Sequence, residues 1–397
     1  MDLLSGVSTD QLFVTSLQQQ AQLEALSNNA LSNGIDKYQS QNYEAAAREF
    51  EKAINLYPQS TYSADTSKYL AQTYLKLENP DKAIAAYQRG IQLNPDRDDL
   101  HADLGNLYFA EDRYGEALRE YREAVRVNPA ASSNHYSLGQ GLLKLEKFSE
   151  AEQEFRTVLR LEPHSPYGHY GLGLAYSKRE KFEKAIESFE TAIRKDSQFY
   201  DAYAEIGYAN SDMGEMEKAQ EMVDFLEDKD AGLAYTLSLY MNKVEPPKIL
   251  FPWGSSTFQT SLSINTPLSA LDSYLENAGA SKTMTMKFLF NKEMDRSSVE
   301  NRFNWSISRS LGAGDGSAYN FGLPVPSTEI DLPSFPDNVL YDSLTNTATV
   351  SFTITQNETA DGTLDPSHIL FKFNGEDAYG VEMDEDHDEF SGWSGVA

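Results

Sequence analysis

Three histidines recur at a constant spacing in the first half of the chain: His101, His135 and His169 are each 34 residues apart. Neutral imidazole nitrogens bind zinc, but the ligands of one ion must converge within a few ångströms of it. Equivalent positions in stacked helical units lie about 8–10 Å apart per helix, so one ion cannot bridge them. The spacing therefore predicts histidines that pack inside a repeating structure.

A second group with possible chemistry is the acidic segment 383–390, MDEDHDEF, in which Asp384, Asp386 and Asp388 alternate with other residues. Calcium binds where several carboxylate oxygens come together. An EF-hand loop also needs Gly at its sixth position and Glu at its twelfth, and this segment has neither. We interpret the segment as a solvated acidic tail and keep the three aspartates as a candidate calcium site.

Motifs of catalysis are incomplete in this sequence. The glycine-rich residues 312–316 neither follow a strand nor precede a helical pattern, as a nucleotide-binding loop requires. His368 stands next to Ser367, two residue types of a nucleophilic triad, but no oriented nucleophile can be named. Neither G-x-S-x-G nor H-E-x-x-H is present. We expect a protein that is not an enzyme and that uses no cofactor.

The composition excludes further classes of function. The 397 residues include 33 Lys and Arg against 61 Asp and Glu, which gives a formal net charge of -28. Such a charge opposes nucleic acid and anionic membrane surfaces. Without any cysteine, the chain forms no disulfide and no thiolate zinc site. The sequence contains no apolar run of about 18 residues, so we expect no membrane insertion.

The elements that position these residues recur every 34 residues. Small residues at one set of positions allow two helices to approach closely, and aromatic residues at another set fill the space beside them. Proline ends the second helix because it donates no N–H and restricts the residue before it. The recurring residues are Ala83, Ala117, Ala151, Ala185 and Ala219; Tyr87, Tyr121, Phe155 and Phe189; Gly105, Gly139, Gly173 and Gly207; Pro95, Pro129 and Pro163.

These positions, with LGNLY at 104–108, EALREY at 116–121 and VNP at 127–129, resemble the tetratricopeptide repeat family. The resemblance implies an all-α superhelix of about six helix-turn-helix repeats. We place them at roughly 27–60, 64–97, 98–131, 132–165, 166–199 and 200–230, followed by a solvating helix at Ala231–Val244. The array would occupy residues 27–243, after a polar lead-in at 1–26, with atypical end repeats as caps.

In that family the first helix of each repeat lines a concave groove that binds peptides. The register implies a groove lined by Lys68, Gln72, Asn106, Phe109, Tyr136, Gln140, Tyr170, Leu174, Lys178 and Tyr208. Tyrosines and amides offer contact area and hydrogen bonds to a peptide, and Tyr136, Tyr170 and Phe109 are the expected anchors. An ordinary solvated helix face remains the alternative. The subtype that holds chaperone carboxylates differs, because Gln72, Asp99 and Ala102 replace its polar and basic residues.

Residues 244–397 follow a different pattern, with alternating β-rich segments separated by turns. We predict strands at Thr283–Phe290, Thr347–Thr355, Ile369–Phe373, Trp305–Arg309 and Thr257–Ile264, a short helix at Ser297–Arg302, and turns at 311–317, 325–338 and 355–367. The segment 286–306, MKFLFNKEMDRSSVENRFNWS, and the turn Asp377–Gly380 resemble bacterial Ig-like domains of the S-layer and surface-protein type. The resemblance implies a β-sandwich that acts as a spacer or adhesion module.

Two functions are compatible with this organisation. The first is a scaffold that binds a protein or peptide partner in the concave groove; the sequence leaves open whether it also forms a homo-oligomer. The second is an exported structural or adhesion component of a surface or appendage assembly, in which the Ig-like domain makes the main contacts. The first twenty residues lack the features of a secretory signal peptide. We therefore expect a cytoplasmic protein, with leaderless export as the alternative.

Overall fold

The computed structural model describes residues 9–252, 256–312 and 318–392. The chain forms two compact units. The first unit contains the residues up to 213 together with 218–234, and the second contains 214–217 and the residues from 235 onward. The predicted glycine-rich turn at 311–317 lies mostly outside the described residues. The helical unit and the β unit are described separately below.

The helical unit consists of consecutive helices joined by short turns, which places neighbours antiparallel. This confirms the predicted succession of helix-turn-helix repeats. The pairs are α1 (Thr9–Gln39) with α2 (Tyr43–Leu56), α3 (Ser63–Lys76) with α4 (Pro80–Leu93), α5 (Asp98–Ala110) with α6 (Tyr114–Val127), α7 (Ser132–Lys144) with α8 (Phe148–Leu161), α9 (Pro166–Ser177) with α10 (Phe182–Lys195), and α11 (Tyr200–Asp212) with α12 (Met216–Glu227); α13 (Ala231–Val244) follows.

Glycines on the first helices allow the close packing that the sequence predicted. A Cβ atom on Gly139 would lie 2.6 Å from Cε1 of Phe155, and one on Gly173 would lie 2.3 Å from Cε1 of Phe189. Gly34 has the same relation to Phe50, at 2.5 Å, so the first repeat keeps the packing despite its offset spacing. Each aromatic ring therefore occupies the volume that a side chain on the glycine would need.

The helix α9 contains more glycine than its neighbours. Besides Gly173 it includes Gly168, where a Cβ would lie 2.6 Å from Cδ2 of Leu159, and Gly171, where a Cβ would lie 2.3 Å from Cδ1 of Phe155. All three glycines are buried. Packing against the adjacent helices thus requires a sequence with low intrinsic helix propensity.

The turn inside each repeat contains one residue with a left-handed backbone. Glu78, Asp112, Glu146 and Glu180 have φ between 54° and 58°, and Gly214 occupies the equivalent position with φ 77°. The amide of the residue after each left-handed glutamate or aspartate donates back into the helix, as in Lys147 N to Leu142 O at 2.9 Å. This is the Schellman arrangement that ends a helix.

The predicted polar lead-in at 1–26 is helical from residue 9 onward, because α1 begins at Thr9; residues 1–8 lie outside the described part. The segment is rich in Gln, Ala and Leu. These residues have high helix propensity, so their polarity was a poor indicator of irregular structure. Within the described ranges, no helix has the length and apolar character needed to cross a membrane.

The β unit contains antiparallel strands in two main sheets and one short pair. One sheet has the order β1-β3-β6-β5, the second has the order β4-β8-β9, and β2 pairs with β7. The strands are β1 (Ile249–Pro252), β2 (Thr266–Pro267), β3 (Ser281–Phe290), β4 (Trp305–Arg309), β5 (Asn338–Asp342), β6 (Thr347–Thr355), β7 (Thr363–Leu364), β8 (Ile369–Phe373) and β9 (Glu389–Ser391); the helices are α14 (Leu268–Leu271) and α15 (Arg296–Glu300).

Aromatic side chains from the two main sheets contact each other in a single core. The rings of Phe288 and Phe371 are 5.5 Å apart, those of Phe290 and Phe373 are 5.5 Å apart, and Trp305 lies 4.6 Å from Phe373. All five residues are buried. Strand alternation explains this, since every second side chain of β3 and β8 points to the same face.

Four predicted strands are confirmed in the β unit, at β3, β4, β6 and β8. The predicted strand Thr257–Ile264 is wrong: the amides of Thr257 and Phe258 both donate to the carbonyl of Thr285, so no ladder forms. The predicted helix at Ser297–Arg302 is split into α15 and a 3-10 turn at Arg302–Asn304. The turn at Asp377–Gly380 is present, and Gly380 has φ 80°.

The predicted acidic tail does not project into solvent. Its last residues form β9, which pairs with β8 through Phe371 and Phe390. Phe390 and Asp388 are both buried. The charged residues of this segment suggest exposure to solvent, but burial of the aromatic Phe390 stabilises the pairing of β9 with the sheet.

Candidate functional site

The first helices of the repeats form one continuous face, which we call the groove face. Helix α5 contacts α7, α7 contacts α9, and α9 contacts α11. Helix α3 is joined to α5 by ion pairs. The residues predicted to line the groove lie on these helices, except Lys178, which is the C-cap residue that follows α9. The groove face therefore provides the surface on which the predicted site residues can be compared.

The α3–α5 end of the groove face is occupied by an internal network of charges. Nζ of Lys68 lies 2.7 Å from Asp103 and 3.5 Å from Asp99. Arg97 lies 2.8 Å from both Asp99 and Asp65. Burial lowers the pKa of Lys68, but the two aspartates outweigh it and raise the pKa overall. The Arg97 guanidinium holds the pKa of Asp99 below its usual range.

Other predicted groove residues are tied to their own repeat or to the core. Asn106 is exposed, and its Oδ1 accepts a hydrogen bond of 2.9 Å from the Tyr121 hydroxyl. The ring of Phe109 packs at 5.2 Å against Tyr114. Leu174 is partly buried against the hydrophobic cluster around Phe189. Gln72 is also partly buried.

A row of aromatic rings follows the groove face from α7 to α11. We call this the aromatic row, and it consists of Tyr136, Tyr167, Tyr170 and Phe199. Tyr136 and Tyr167 are 5.7 Å apart, Tyr167 and Phe199 are 5.5 Å apart, and Phe199 and Tyr170 are 4.7 Å apart. Edge-to-face and tilted contacts at these distances are favourable. The row links two predicted residues, Tyr136 and Tyr170, through two that the sequence analysis missed.

Polar groups border the aromatic row. The Gln140 amide donates to the hydroxyl of Tyr136 at 3.2 Å, so these two predicted groove residues are neighbours on α7. Burial raises the pKa of Tyr136 to about 12. Beside Tyr136 and Tyr167 lies a cleft of about 390 Å³, also lined by Ser132, Ser133, Val158, Glu162 and Ser165. An aromatic surface next to hydroxyl groups is suited to binding a peptide.

Carboxylates on α11 complete this end of the groove face. Burial raises the pKa of Glu205 to about 7; Lys178 opposes the rise, while Asp201 and Asp212 add to it. Burial also raises the pKa of the Tyr170 hydroxyl, assisted by the charges of Glu205 and Asp201. Tyr208, a predicted groove residue, contributes to the same electrostatic environment. Glu205 lies four residues after Asp201 on the same helix, and the sequence analysis identified neither residue.

Replacing Glu205 by Gln is expected to stabilise the helical unit above pH 7 by about 1–3 kcal/mol. The pKa of Glu205 is raised from 4.5 to about 7 in the folded state. The charged carboxylate therefore destabilises the fold increasingly as the pH rises from 4.5 to 7, and it has no such effect below pH 4.5. Chemical denaturation followed by circular dichroism at pH 8 and pH 4 measures the difference. Glu183→Gln, at an exposed position on α10, is the control; an equal gain in both variants would contradict the prediction.

The histidines at 34-residue spacing are held by separate partners. Nδ1 of His101 lies 2.7 Å from Glu120, and Nδ1 of His135 lies 2.6 Å from Glu154. Burial, together with Lys195 and Arg194, lowers the pKa of His169. His101 and His135 therefore each pair with a glutamate of their own repeat, and His135 also contacts the carbonyl of Pro129 at 3.1 Å.

The three aspartates of the candidate calcium site are not brought together. Asp384 lies 3.2 Å from His387 and 3.8 Å from Lys248, whereas Asp388 lies 2.9 Å from Lys372. Asp386 is exposed. Among the described residues, no three His, Cys, Asp or Glu side chains are arranged to hold a metal ion. The three aspartates therefore do not form the predicted calcium site, because Asp384 and Asp388 pair with different basic residues and Asp386 pairs with neither.

His368 does not form a catalytic triad with Ser367 and Asp365. Its Nδ1 lies 2.8 Å from Asp365 and 3.0 Å from the Ser367 hydroxyl, and Ser367 itself donates to Asp365 at 2.8 Å. In a triad the serine and the carboxylate contact opposite nitrogens of the ring. Here both contact the same nitrogen of a fully buried ring, so the arrangement is typical of a structural turn.

Family models confirm the repeats. Models of the tetratricopeptide repeat match residues 64–97, 105–145, 136–199 and 170–220. The helical unit therefore contains tetratricopeptide repeats. No curated protein matches the chain significantly.

Solved structures resemble the helical part of the chain. A tetratricopeptide repeat protein from Parabacteroides merdae is 15% identical, covers 55% of this chain and 89% of its own, and has a TM-score of 0.50. PilF of Pseudomonas aeruginosa is 20% identical, with 55% and 98% covered and a TM-score of 0.44. PilW, a widely conserved type IV pilus biogenesis factor, is 18% identical, with 53% and 98% covered and a TM-score of 0.45. At 15% identity, the first of these likenesses shows the fold alone.

Proposed function

We propose that this chain, whose helical unit contains tetratricopeptide repeats, is a noncatalytic scaffold that binds a peptide segment of a protein partner on its groove face. The aromatic row is the observation that supports this most directly. Tyr167 is 54% exposed although its ring contacts Tyr136 on one side and Phe199 on the other. Tyrosines held rigid by neighbouring rings provide large contact area at low entropic cost.

The expected anchors differ in how cleanly they can be tested. The ring of Tyr136 packs 5.7 Å from Phe155, and that of Tyr170 packs 5.7 Å from Phe189, both in the hydrophobic core. Truncating either tyrosine would therefore lower stability as well as change the surface. Tyr167 does not contact these core rings, so its replacement isolates the contribution of the groove face.

Tyr167→Ala is expected to weaken the binding of peptides that the intact chain selects from a phage-displayed library of random 12-residue sequences. The reason is the loss of the most exposed ring of the aromatic row, with a weakening of at least about tenfold. Fluorescence polarisation with the synthetic peptides measures the change. Tyr62→Ala is the matched control, since Tyr62 is 50% exposed and precedes α3. Peptides that bind both variants equally would contradict the proposal.

A second candidate function assigns the main contacts to the β unit, as an Ig-like sandwich in an exported surface assembly. The exposed pair Phe303 and Phe335, 63% and 44% exposed with rings 5.6 Å apart, favours it. An exposed aromatic pair on a β unit is a surface on which a partner can dock. Selected peptides that tolerate Tyr167→Ala but are lost on Phe303→Ser would support this function instead.

A further inference from the structure

We propose that the partner segment places the cationic side chain of an arginine or lysine beside the aromatic row, facing Glu205 and Asp201 of α11. This inference rests on the proposed function and specifies the chemistry of the partner at the same site. The occupant is a basic peptide segment of a protein rather than a free metal ion. Three observations support it: an unpaired carboxylate, a local excess of acid, and the adjoining tyrosine rings.

The carboxylate of Glu205 lacks a partner of its own. Over residues 9–252, 256–312 and 318–392 it forms neither a hydrogen bond nor an ion pair of 4.0 Å or less, although the side chain is partly buried. Lys178 is near enough to act on it electrostatically but not to pair with it. A partly buried carboxylate without a partner is unfavourable, so a cation from a ligand would gain interaction energy there.

The carboxylates at the two ends of the groove face differ in how they are paired. At the α3–α5 end, Asp65, Asp99 and Asp103 are all within 4.0 Å of Lys68 or Arg97. Each of these acids already has a cationic partner in the chain itself. Asp201 instead lies two residues after Phe199 of the aromatic row, and α11, which carries Asp201 and Glu205, contacts α9 with Tyr167 and Tyr170. That end is therefore complementary to positive charge.

The tyrosines next to these carboxylates favour an organic cation. A guanidinium or ammonium group is attracted to the face of an aromatic ring, and the attraction grows when water is excluded. Tyr136 and Tyr170 are both partly buried, and Asp201 acts electrostatically on both. An anionic segment or a terminal carboxylate would be repelled at the same place. In the parts of the chain described here, the acids do not converge as metal ligands would.

The test uses the full chain and the peptides whose binding depends on Tyr167. Each Arg in these peptides is replaced by citrulline and each Lys by acetyl-lysine, which removes the charge and keeps the length. Affinities are measured at pH 8 against the unchanged chain, Glu205→Gln, and the control Glu183→Gln. We expect neutral peptides to bind about tenfold more weakly to the unchanged chain, and Glu205→Gln to weaken only the charged peptides.

The possible results separate this inference from the function on which it rests. Tyr167-dependent peptides without Arg or Lys, or equal affinity of the charged and neutral forms, would overturn the cation site and leave the scaffold intact. The absence of any Tyr167-dependent peptide would overturn both. A loss of affinity shared by Glu205→Gln and Glu183→Gln would show a general charge effect and would also overturn the cation site. Circular dichroism of each variant confirms that it is folded.

Discussion

Replacing Lys292 by Met is expected to lower the free energy of unfolding of the β unit by about 3–5 kcal/mol. Nζ of Lys292 lies 2.6 Å from Asp377, and the side chains are 3% and 0% exposed. The substitution would leave the Asp377 carboxylate buried without its counter-ion. The lysine also donates a hydrogen bond of 2.7 Å to the carbonyl of Glu245, which would lose its donor.

The remaining contacts of Asp377 explain why the residue cannot simply turn towards solvent. Its Oδ1 accepts hydrogen bonds from the amides of Tyr379 and Val381, at 2.8 and 2.9 Å, and so holds the turn that ends at Gly380. The loss of Lys292 would therefore strain this turn as well as expose an unpaired charge.

Urea denaturation followed by tryptophan fluorescence measures this effect on the β unit. All three tryptophans of the chain lie after residue 244, and Trp305 is buried in the core shared by the two main sheets. Lys282→Met is the control because Lys282 pairs with Asp272 at the surface, where ion pairs contribute less than about 1 kcal/mol. Similar midpoints for the two variants would contradict the prediction.

Gly173→Ala is expected to destabilise the helical unit by about 3 kcal/mol. Alanine has the higher helix propensity, but its Cβ would lie 2.3 Å from Cε1 of Phe189. Phe189 is fully buried, so its ring has no space into which to move. Thermal unfolding followed by circular dichroism at 222 nm measures the loss, since that signal comes mainly from the helices.

Gly115→Ala provides the matched control for this substitution. A Cβ on Gly115, in the first turn of α6, would have no neighbour within 4 Å. It should therefore be neutral or stabilise the protein by up to about 1 kcal/mol. The double variant Gly173→Ala with Phe189→Leu should recover part of the loss, because the smaller side chain makes room. Equal effects of Gly173→Ala and Gly115→Ala would contradict the packing argument.

The helical repeats were predictable because each structural requirement recurs in the sequence. One close approach of two helices requires one small and one large residue, and the pair of Gly139 and Phe155 is repeated by Gly173 and Phe189. The predicted packing was therefore confirmed at several places at once. Lys68 was correctly placed on a first helix, but its pairing with Asp103 depends on two helices and is not evident in either sequence segment.

The parts that the sequence did not reveal depend on contacts between distant residues. Tyr167 and Phe199 join the aromatic row through ring contacts across helices, and neither belongs to a recurring position of one residue type. In the β unit, Thr257 and Phe258 have residue types typical of a strand, yet both amides share one carbonyl acceptor. Likewise, Phe390 pairs with Phe371 of β8, although the residues around Phe390 are charged. Local composition cannot predict such effects.

The glycines of α9 have a consequence for any ligand of the aromatic row. Tyr167 and Tyr170 are carried by the helix that contains Gly168, Gly171 and Gly173, and each glycine gives up about 1 kcal/mol of intrinsic helix stability relative to alanine. The backbone beneath the aromatic row thus depends for its stability on packing against its neighbours, and it opens locally when that packing is lost. A bound segment would suppress this opening, so recognition and the cooperativity of unfolding are thermodynamically linked in this protein.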